Sequence, residues 1–304
     1  MARSSDRLTE NAPGDYFVDA SCIDCGTCRV IAPETYGRFD AAGQTIVFQQ
    51  PETAEGRHRA AMALVACPTA SIGTERKADV AVAAAAFPEL VAGSVYYCGY
   101  ASESSFGAAS YLIVRPSGNV LIDSPRAARP LLERIAALGG VRTMILTHKD
   151  DVADHEILHR TFGCERVIHE SDVDAGTGAV ERKLRGRQPL RLDDELTVIP
   201  VPGHTQGSVA LLYRDEFLFS GDHVWYEGLL QRLHASPRVC WYSWPEQTRS
   251  MELLAEYAFE WVLPGHGRRW HAPSREAMRA AVRRLAERMA RRGAEQDVDA
   301  STLR

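Results

Sequence analysis

The residue pattern predicts an α/β protein, an αββα sandwich preceded by a small α+β unit. Three observations carry this. From Ser94 onward, short apolar runs bounded by Gly, Ser and Pro alternate with stretches of helical spacing. The alternation occurs twice, so the second half echoes the first. Four of the seven cysteines crowd the first seventy or so residues, which sets that segment apart.

In order along the chain, "SVYYCGY", "SYLIVRP" and "NVLIDSP" read as strands, with "RPSGN" as hairpin punctuation, and "RAARPLLERIAAL" as a helix. "VRTMILTH" is a buried strand, and Asp151 to Phe162 a helix with an aspartate at its start. In the second set, "LTVIPVPGH", "SVALLYR" and "EFLFSGDHVW" are strands, "PEQTRSMELLAEYA" is a helix and "EWVLPGH" another strand. From Ser274 a helix shows alanine, leucine and methionine on one face and arginine on the other, which reads as a solvated outer helix. The boundaries are residues 1–77 for the cysteine unit, 78–93 for an alanine-rich linker, 94–292 for the sandwich and 293–304 for a flexible tail.

The chain has 304 residues, 45% of them apolar, enough for one large core and a smaller companion. A net charge of -5 argues against a nucleic-acid or membrane-surface partner drawn by a basic field. The N-terminus has no apolar signal core and no apolar run approaches ~20 residues, so a cytoplasmic location is expected.

Cys22, Cys25 and Cys28 form CxxCxxC, and Cys67 precedes Pro68 in "ACPTASI". Three thiolates in one loop with a distant fourth match the ligand count of one iron-sulfur cluster; four thiolates also suit a structural zinc. Cys98, Cys164 and Cys240 stand singly in apolar surroundings and read as small buried hydrophobes. The run "CIDCGTCRVIAPE" with "ACPTASI" resembles the bacterial ferredoxins over Asp15 to Gly73. Ala32 occupies the position that is cysteine in two-cluster members, so the resemblance implies a single [4Fe-4S] cluster held by Cys22, Cys25, Cys28 and Cys67. Gly26 is expected to let the loop turn closely around it.

Four apolar strands end in potential metal ligands: "LTHKDDVADHE" with His148, Asp150, Asp154 and His155, "PGHT" with His204, "SGD" with Asp222 and "PGHG" with His266. Imidazole and carboxylate donors together suit zinc, iron or manganese. This order resembles the metallo-β-lactamase fold superfamily over Val95 to Arg292. The resemblance implies one or two divalent metals held by His148, Asp150, Asp154, His155, His204, Asp222 and His266, with Asp222 as the bridging residue. The chain departs from the family's HxHxDH loop: Asp150 replaces a histidine, and two extra residues precede Asp154 and His155. Asp151 is the alternative, as ligand or as helix cap. A carboxylate in place of imidazole favours iron or manganese over zinc, and the flavodiiron branch of the superfamily carries a carboxylate there.

Thr147 and Thr205 flank ligands and read equally as groups that orient them or as simple loop packing. The aromatics Trp225, Tyr226, Trp241, Tyr242 and Trp244 read as core packing beneath a long loop rather than as a substrate wall.

The function expected first is metal-dependent hydrolysis of a small-molecule ester, thioester, amide or phosphodiester, with Asp154 as the catalytic carboxylate and an electron-transfer cluster attached. The alternative is an iron-dependent oxidoreductase in which the ferredoxin-like domain, served by a redox partner protein, feeds electrons to a non-haem di-metal site. A non-enzymatic iron or redox sensor comes third.

Overall fold

A computed structural model describes residues 2–39 and 43–302, with side chains described through Arg291. The expected tail, 293–304, falls on the end of helix Arg275–Thr302 and on two final residues outside the described ones. By contacts the chain divides into two compact units, Met1–Ile145 with Asp150–Arg166, and Leu146–Lys149 with Val167–Arg304.

The first unit opens with two small antiparallel pairs, Tyr16–Val18 with Ile72–Thr74 and Tyr36–Phe39 with Gln44–Val47. Helix Ala54–Ala66 starts where the Thr53 side chain accepts a hydrogen bond from the Gly56 amide (2.9 Å). It ends at Cys67, one residue before Pro68.

Five further strands of this unit follow. Glu89–Ala92, Val95–Tyr97, Tyr111–Ile113 and Val120–Ile122 pair antiparallel in sequence order, and Thr143–Ile145 then pairs parallel with Val120–Ile122. A parallel neighbour needs a crossover. Helix Arg129–Ala137 supplies it, with Pro130 in its first turn and Leu131 and Ile135 fully buried. Burying each of those side chains contributes about 1.5–3 kcal/mol.

Two differences from the sequence expectation stand out here. The stretch 78–93, which reads as a connector or short helix, holds helix Ala81–Ala85 and in addition the unexpected strand Glu89–Ala92. The helix after the His/Asp loop is His155–Phe162, four residues later than Asp151, because Ala153 takes a left-handed φ of 28° that breaks any earlier turn.

The second unit repeats the theme. Leu190–Arg191, Leu196–Pro200, Val209–Tyr213 and Phe217–Gly221 form an antiparallel meander. Helix Trp244–Leu254 then crosses over to Trp261–Pro264, parallel to Phe217–Gly221. Leu196–Pro200 and Phe217–Gly221 both run antiparallel to the strand between them, so three strand C-termini share one end of this sheet. His204, Asp222 and His266 leave from that end. Glu165–His169 pairs parallel with Arg182–Leu184. Helix Arg275–Thr302 lays Met278, Val282, Leu285 and Met289 into the core beside Leu218, Met251 and Val262. Among the described residues no helix is long and apolar enough to cross a membrane.

Candidate metal centre

The second unit gathers three histidines around one carboxylate. The Nε2 atoms of His148, His204 and His266 lie 3.7, 3.6 and 3.7 Å from Oδ2 of Asp222. These spans exceed a hydrogen bond. They come close to the ~3.3 Å that separates two donors sharing one tetrahedral ion at ~2.0–2.1 Å. The donor set and its spacing therefore fit a divalent metal. His148 and His204 are buried at 1% and 2%, their rings perpendicular with centroids 4.7 Å apart, whereas His266 is partly open to solvent.

Each buried ring is aimed by its other nitrogen. His204 Nδ1 donates to the Val239 carbonyl (2.5 Å), which fixes the tautomer and leaves the Nε2 lone pair for a metal. His148 Nδ1 lies 3.0 Å from Thr147 Oγ1, an orienting contact. Gly221 sits between strand and ligand at a φ of 48°, and a Cβ there would meet Thr147 Oγ1 at 2.7 Å. The chain needs glycine to turn Asp222 inward.

Asp172, which no sequence signal singled out, ties two ligand loops together. Its carboxylate, 2% exposed, accepts from the amide of Lys149 (3.1 Å), the amide of Gly207 (2.7 Å) and the hydroxyl of Thr205 (2.5 Å). Lys149 follows His148, and Thr205 follows His204. Thr205 thus acts on the site through Asp172. His223, beside Asp222, is fully buried; burial first, then His204, push it down to about 3, so it stays neutral. Gln247 from helix Trp244–Leu254 holds its carbonyl (3.0 Å).

The rest of the predicted ligand loop belongs to the first unit. Asp154 caps helix His155–Phe162 without a side-chain cap bond; its Oδ2 instead accepts from the Ala127 amide (2.8 Å). Asp151 does not cap that helix. It is buried, and its carbonyl accepts from Ser124 (3.3 Å). His155 Nδ1 lies 3.1 Å from Arg166 Nη1. Guanidinium only donates, so Nδ1 is the accepting nitrogen of this contact. Asp150 shares this loop.

The aromatic group divides. Trp244 is core, as expected, and Tyr226 stacks on Trp270. Trp241 and Tyr242 are 65% and 44% exposed, contrary to core packing. Their amides both donate to the His204 carbonyl (2.9 and 3.0 Å), which holds them at the surface beside that ligand. Cys98 and Cys164 are buried as expected, and burial pushes the Cys98 thiol up to about 12. Cys240, half-buried, donates to the Gly203 carbonyl (3.1 Å).

Within the first unit, Cys22, Cys25, Cys28 and Cys67 line one cavity, with Val18 and Ile72 among its walls. Gly26, at a φ of 83°, starts helix Thr27–Ile31 after the CxxC turn. Amides of Asp24 and Thr45 approach the Cys22 sulfur (3.5 Å each), and that of Ser71 approaches the Cys67 sulfur (3.3 Å). Burial pushes the Cys25 and Cys28 thiols up, Cys28 far up, so thiolates there require a group that brings its own positive charge. The iron of a cluster meets that need.

The loop Ser102–Ala108 closes over Cys25. Thr27 donates to the Gly107 carbonyl (3.0 Å), and a Cβ on Gly107 would lie 2.6 Å from Cys25 Cβ and 2.8 Å from its sulfur. Gly107 also has a φ of 81°. Gly107→Ala is expected to cost about 1–3 kcal/mol in backbone strain and to displace Cys25. Anaerobic iron analysis should show a content well below that of the parent; an unchanged iron content and thermal midpoint would refute the close approach.

Residues 18–74 match the family described as the 4Fe-4S single cluster domain of Ferredoxin I. A hydroxyacylglutathione hydrolase of Methylobacillus flagellatus is 30% identical over 135 residues, 41% of this chain and 51% of that protein. The uncharacterized protein YobT of Bacillus subtilis is 26% identical over 207 residues, 57% of this chain and 88% of its own length. Among solved structures, the metallo-β-lactamase FIM-1 from Pseudomonas aeruginosa aligns with a TM-score of 0.49 at 16% identity, covering 66% of this chain and 93% of that one. The chain spans about half the length of the hydroxyacylglutathione hydrolases it matches. The chain is thus similar to a single-cluster 4Fe-4S ferredoxin domain over residues 18–74 and to part of the hydroxyacylglutathione hydrolases.

Proposed function

We propose that this chain is a metal-dependent hydrolase acting on a small acyl substrate, with thioesters and esters ahead of amides and phosphodiesters. The observation that carries this is the convergence of His148, His204 and His266 on one oxygen of Asp222. The names of the curated relatives, hydroxyacylglutathione hydrolases, support acyl hydrolysis as the class. A divalent ion at such a site lowers the pKa of water and polarises a carbonyl. This chain's residues would do the rest. Asp222 and the three histidines would hold the ion. In the balance, water adds to the acyl carbon, the bond to sulfur or oxygen breaks, and the leaving group takes the proton. The cluster exchanges single electrons with a partner protein, in a cytoplasmic setting where thiols stay reduced.

A second reading, electron delivery from the cluster to iron at the same ligands, draws on the carboxylate Asp150 where imidazole is usual. One experiment tests both. Anaerobically purified protein is analysed for iron and zinc, then assayed with a thioester panel and for reoxidation by oxygen. Hydrolysis requires one or two divalent ions beyond the cluster iron and turnover without an electron donor. Turnover only after reduction, with two extra irons, would replace it by the redox reading; no extra metal would remove both.

A further inference from the structure

Cys67 is followed by a turn at Pro68 and Thr69, after which Ala70 takes a left-handed φ of 52°. The turn folds Thr69 and Ser71 back on the cysteine. The Ser71 amide donates to its sulfur (3.3 Å), and Thr69 Oγ1 stands 3.8 Å from the same sulfur. From Thr69 a chain of hydroxyls leads away. Thr69 Oγ1 lies 2.5 Å from Ser71 Oγ, Ser71 Oγ lies 2.8 Å from Ser21 Oγ, and Ser21 Oγ donates to Asp19 Oδ1 (2.5 Å). Asp19 and Ser71 are 3% and 1% exposed, and the carboxylate also accepts from the amides of Ser21 (3.0 Å) and Arg3 (2.8 Å). All of these residues belong to one compact unit, the one that holds the four cysteines.

A proton count fixes the direction of this chain. As a carboxylate Asp19 only accepts, and each hydroxyl brings a single proton. Three oxygen–oxygen gaps take the three protons: Ser21 donates to Asp19, Ser71 therefore donates to Ser21, and Thr69 to Ser71. None is left for Cys67, and Thr69 turns a lone pair toward its sulfur. We propose that Asp19 is a positioning residue which, through Ser21 and Ser71, withholds the Thr69 proton from Cys67 and so keeps the reduction potential of the iron-sulfur site low. Hydrogen bonds to the sulfurs of a cluster favour its reduced, more negative state. Here the Ser71 amide supplies one, and the hydroxyl beside it is turned away. A site held in this way takes its one electron from a strongly reducing donor, which narrows the redox partner to a low-potential one-electron carrier. The inference rests on the four cysteines holding a cluster and is independent of hydrolysis in the other unit.

The test uses the full-length, anaerobically purified protein, titrated potentiometrically with dithionite and followed by electron paramagnetic resonance, with iron content measured for every variant. Ser71→Ala leaves Asp19 charged and keeps the Ser71 amide, but removes the acceptor of the Thr69 proton. That proton turns to Cys67, and the midpoint should rise by ~59 mV, the one-electron equivalent of a roughly tenfold change in the ratio of reduced to oxidised protein. Adding Thr69→Val to Ser71→Ala removes the proton and should return the midpoint to that of the parent. Asp19→Asn should raise the midpoint as well, and by less once Ser71→Ala has broken the chain, because only the loss of charge then remains. A midpoint unmoved by Ser71→Ala at full iron content overturns the proposal, and so does a rise that survives the added Thr69→Val. Equal shifts from Asp19→Asn with the chain whole and broken would reduce Asp19 to a nearby charge and overturn its positioning role. Ser21→Ala breaks the chain one link further out and should raise the midpoint in the same way; it decides should Ser71→Ala or Asp19→Asn fail to fold. A protein with no cluster iron, or no one-electron couple, removes the electron-transfer reading and this proposal together and leaves hydrolysis untouched.

Discussion

Replacing His204 by alanine is expected to abolish hydrolysis while leaving the brown colour of the protein unchanged. The ring supplies one of three imidazole nitrogens set 3.6–3.7 Å from Asp222 Oδ2, and its other nitrogen is spent on Val239. Loss of a partner that merely orients a ligand costs about 10–100-fold in metal affinity or activity. Removal of the ligand itself should therefore exceed ~100-fold. The cluster cysteines all lie in the unit Met1–Ile145 with Asp150–Arg166, and His204 lies in the other. Metal analysis should show the divalent ion lost and the cluster iron retained. Turnover within ~10-fold of the parent would take the histidine cluster out of the reaction.

Asp172→Ala should produce the second largest effect, this time on stability and metal binding together. Three donors, two of them backbone amides, lose their acceptor at once in a site 2% exposed. Each hydrogen bond to a charged group contributes about 1.5–3 kcal/mol, and stranded buried donors add to the loss. A destabilisation of at least ~3 kcal/mol follows, visible as a lower denaturation midpoint. Because the loops of His148 and His204 are both released, metal affinity should fall by about 10–100-fold as well. Asp172→Asn keeps the shape but presents an amide group to one set of donors, so it should fall between. A variant with reduced stability and unaltered metal affinity would show that Asp172 supports the fold alone.

Much of this was legible in the residue order, for a physical reason. A ligand placed one to four residues after an apolar strand, next to glycine or proline, can hardly point anywhere but out of the sheet end. His204, Asp222 and His266 follow that rule, and CxxCxxC with a cysteine-proline carries its own geometry. Asp172 was illegible because its meaning comes from donors brought by Lys149, Thr205 and Gly207, remote in sequence, whereas "HESDVDAG" by itself looks like an acidic turn. Trp241 and Tyr242 escaped for the converse reason. Aromatic residues are usually buried, and only the two amide bonds to the His204 carbonyl reveal why these stay outside. The strand Glu89–Ala92 hid within an alanine-rich stretch because its Leu90 faces water at 56% exposure and leaves no alternating pattern.

Asp222 and the three histidines around its Oδ2 come from four separate strand ends, spread from His148 to His266. A bound ion would then behave as a staple across long stretches of polypeptide. Closing a flexible loop costs only about 0.6 kcal/mol more for each doubling of its length, so one ion can gather distant segments at little extra entropic expense. Unfolding would release ion and loops in the same event, and the melting temperature of the loaded protein should climb with free metal concentration by mass action.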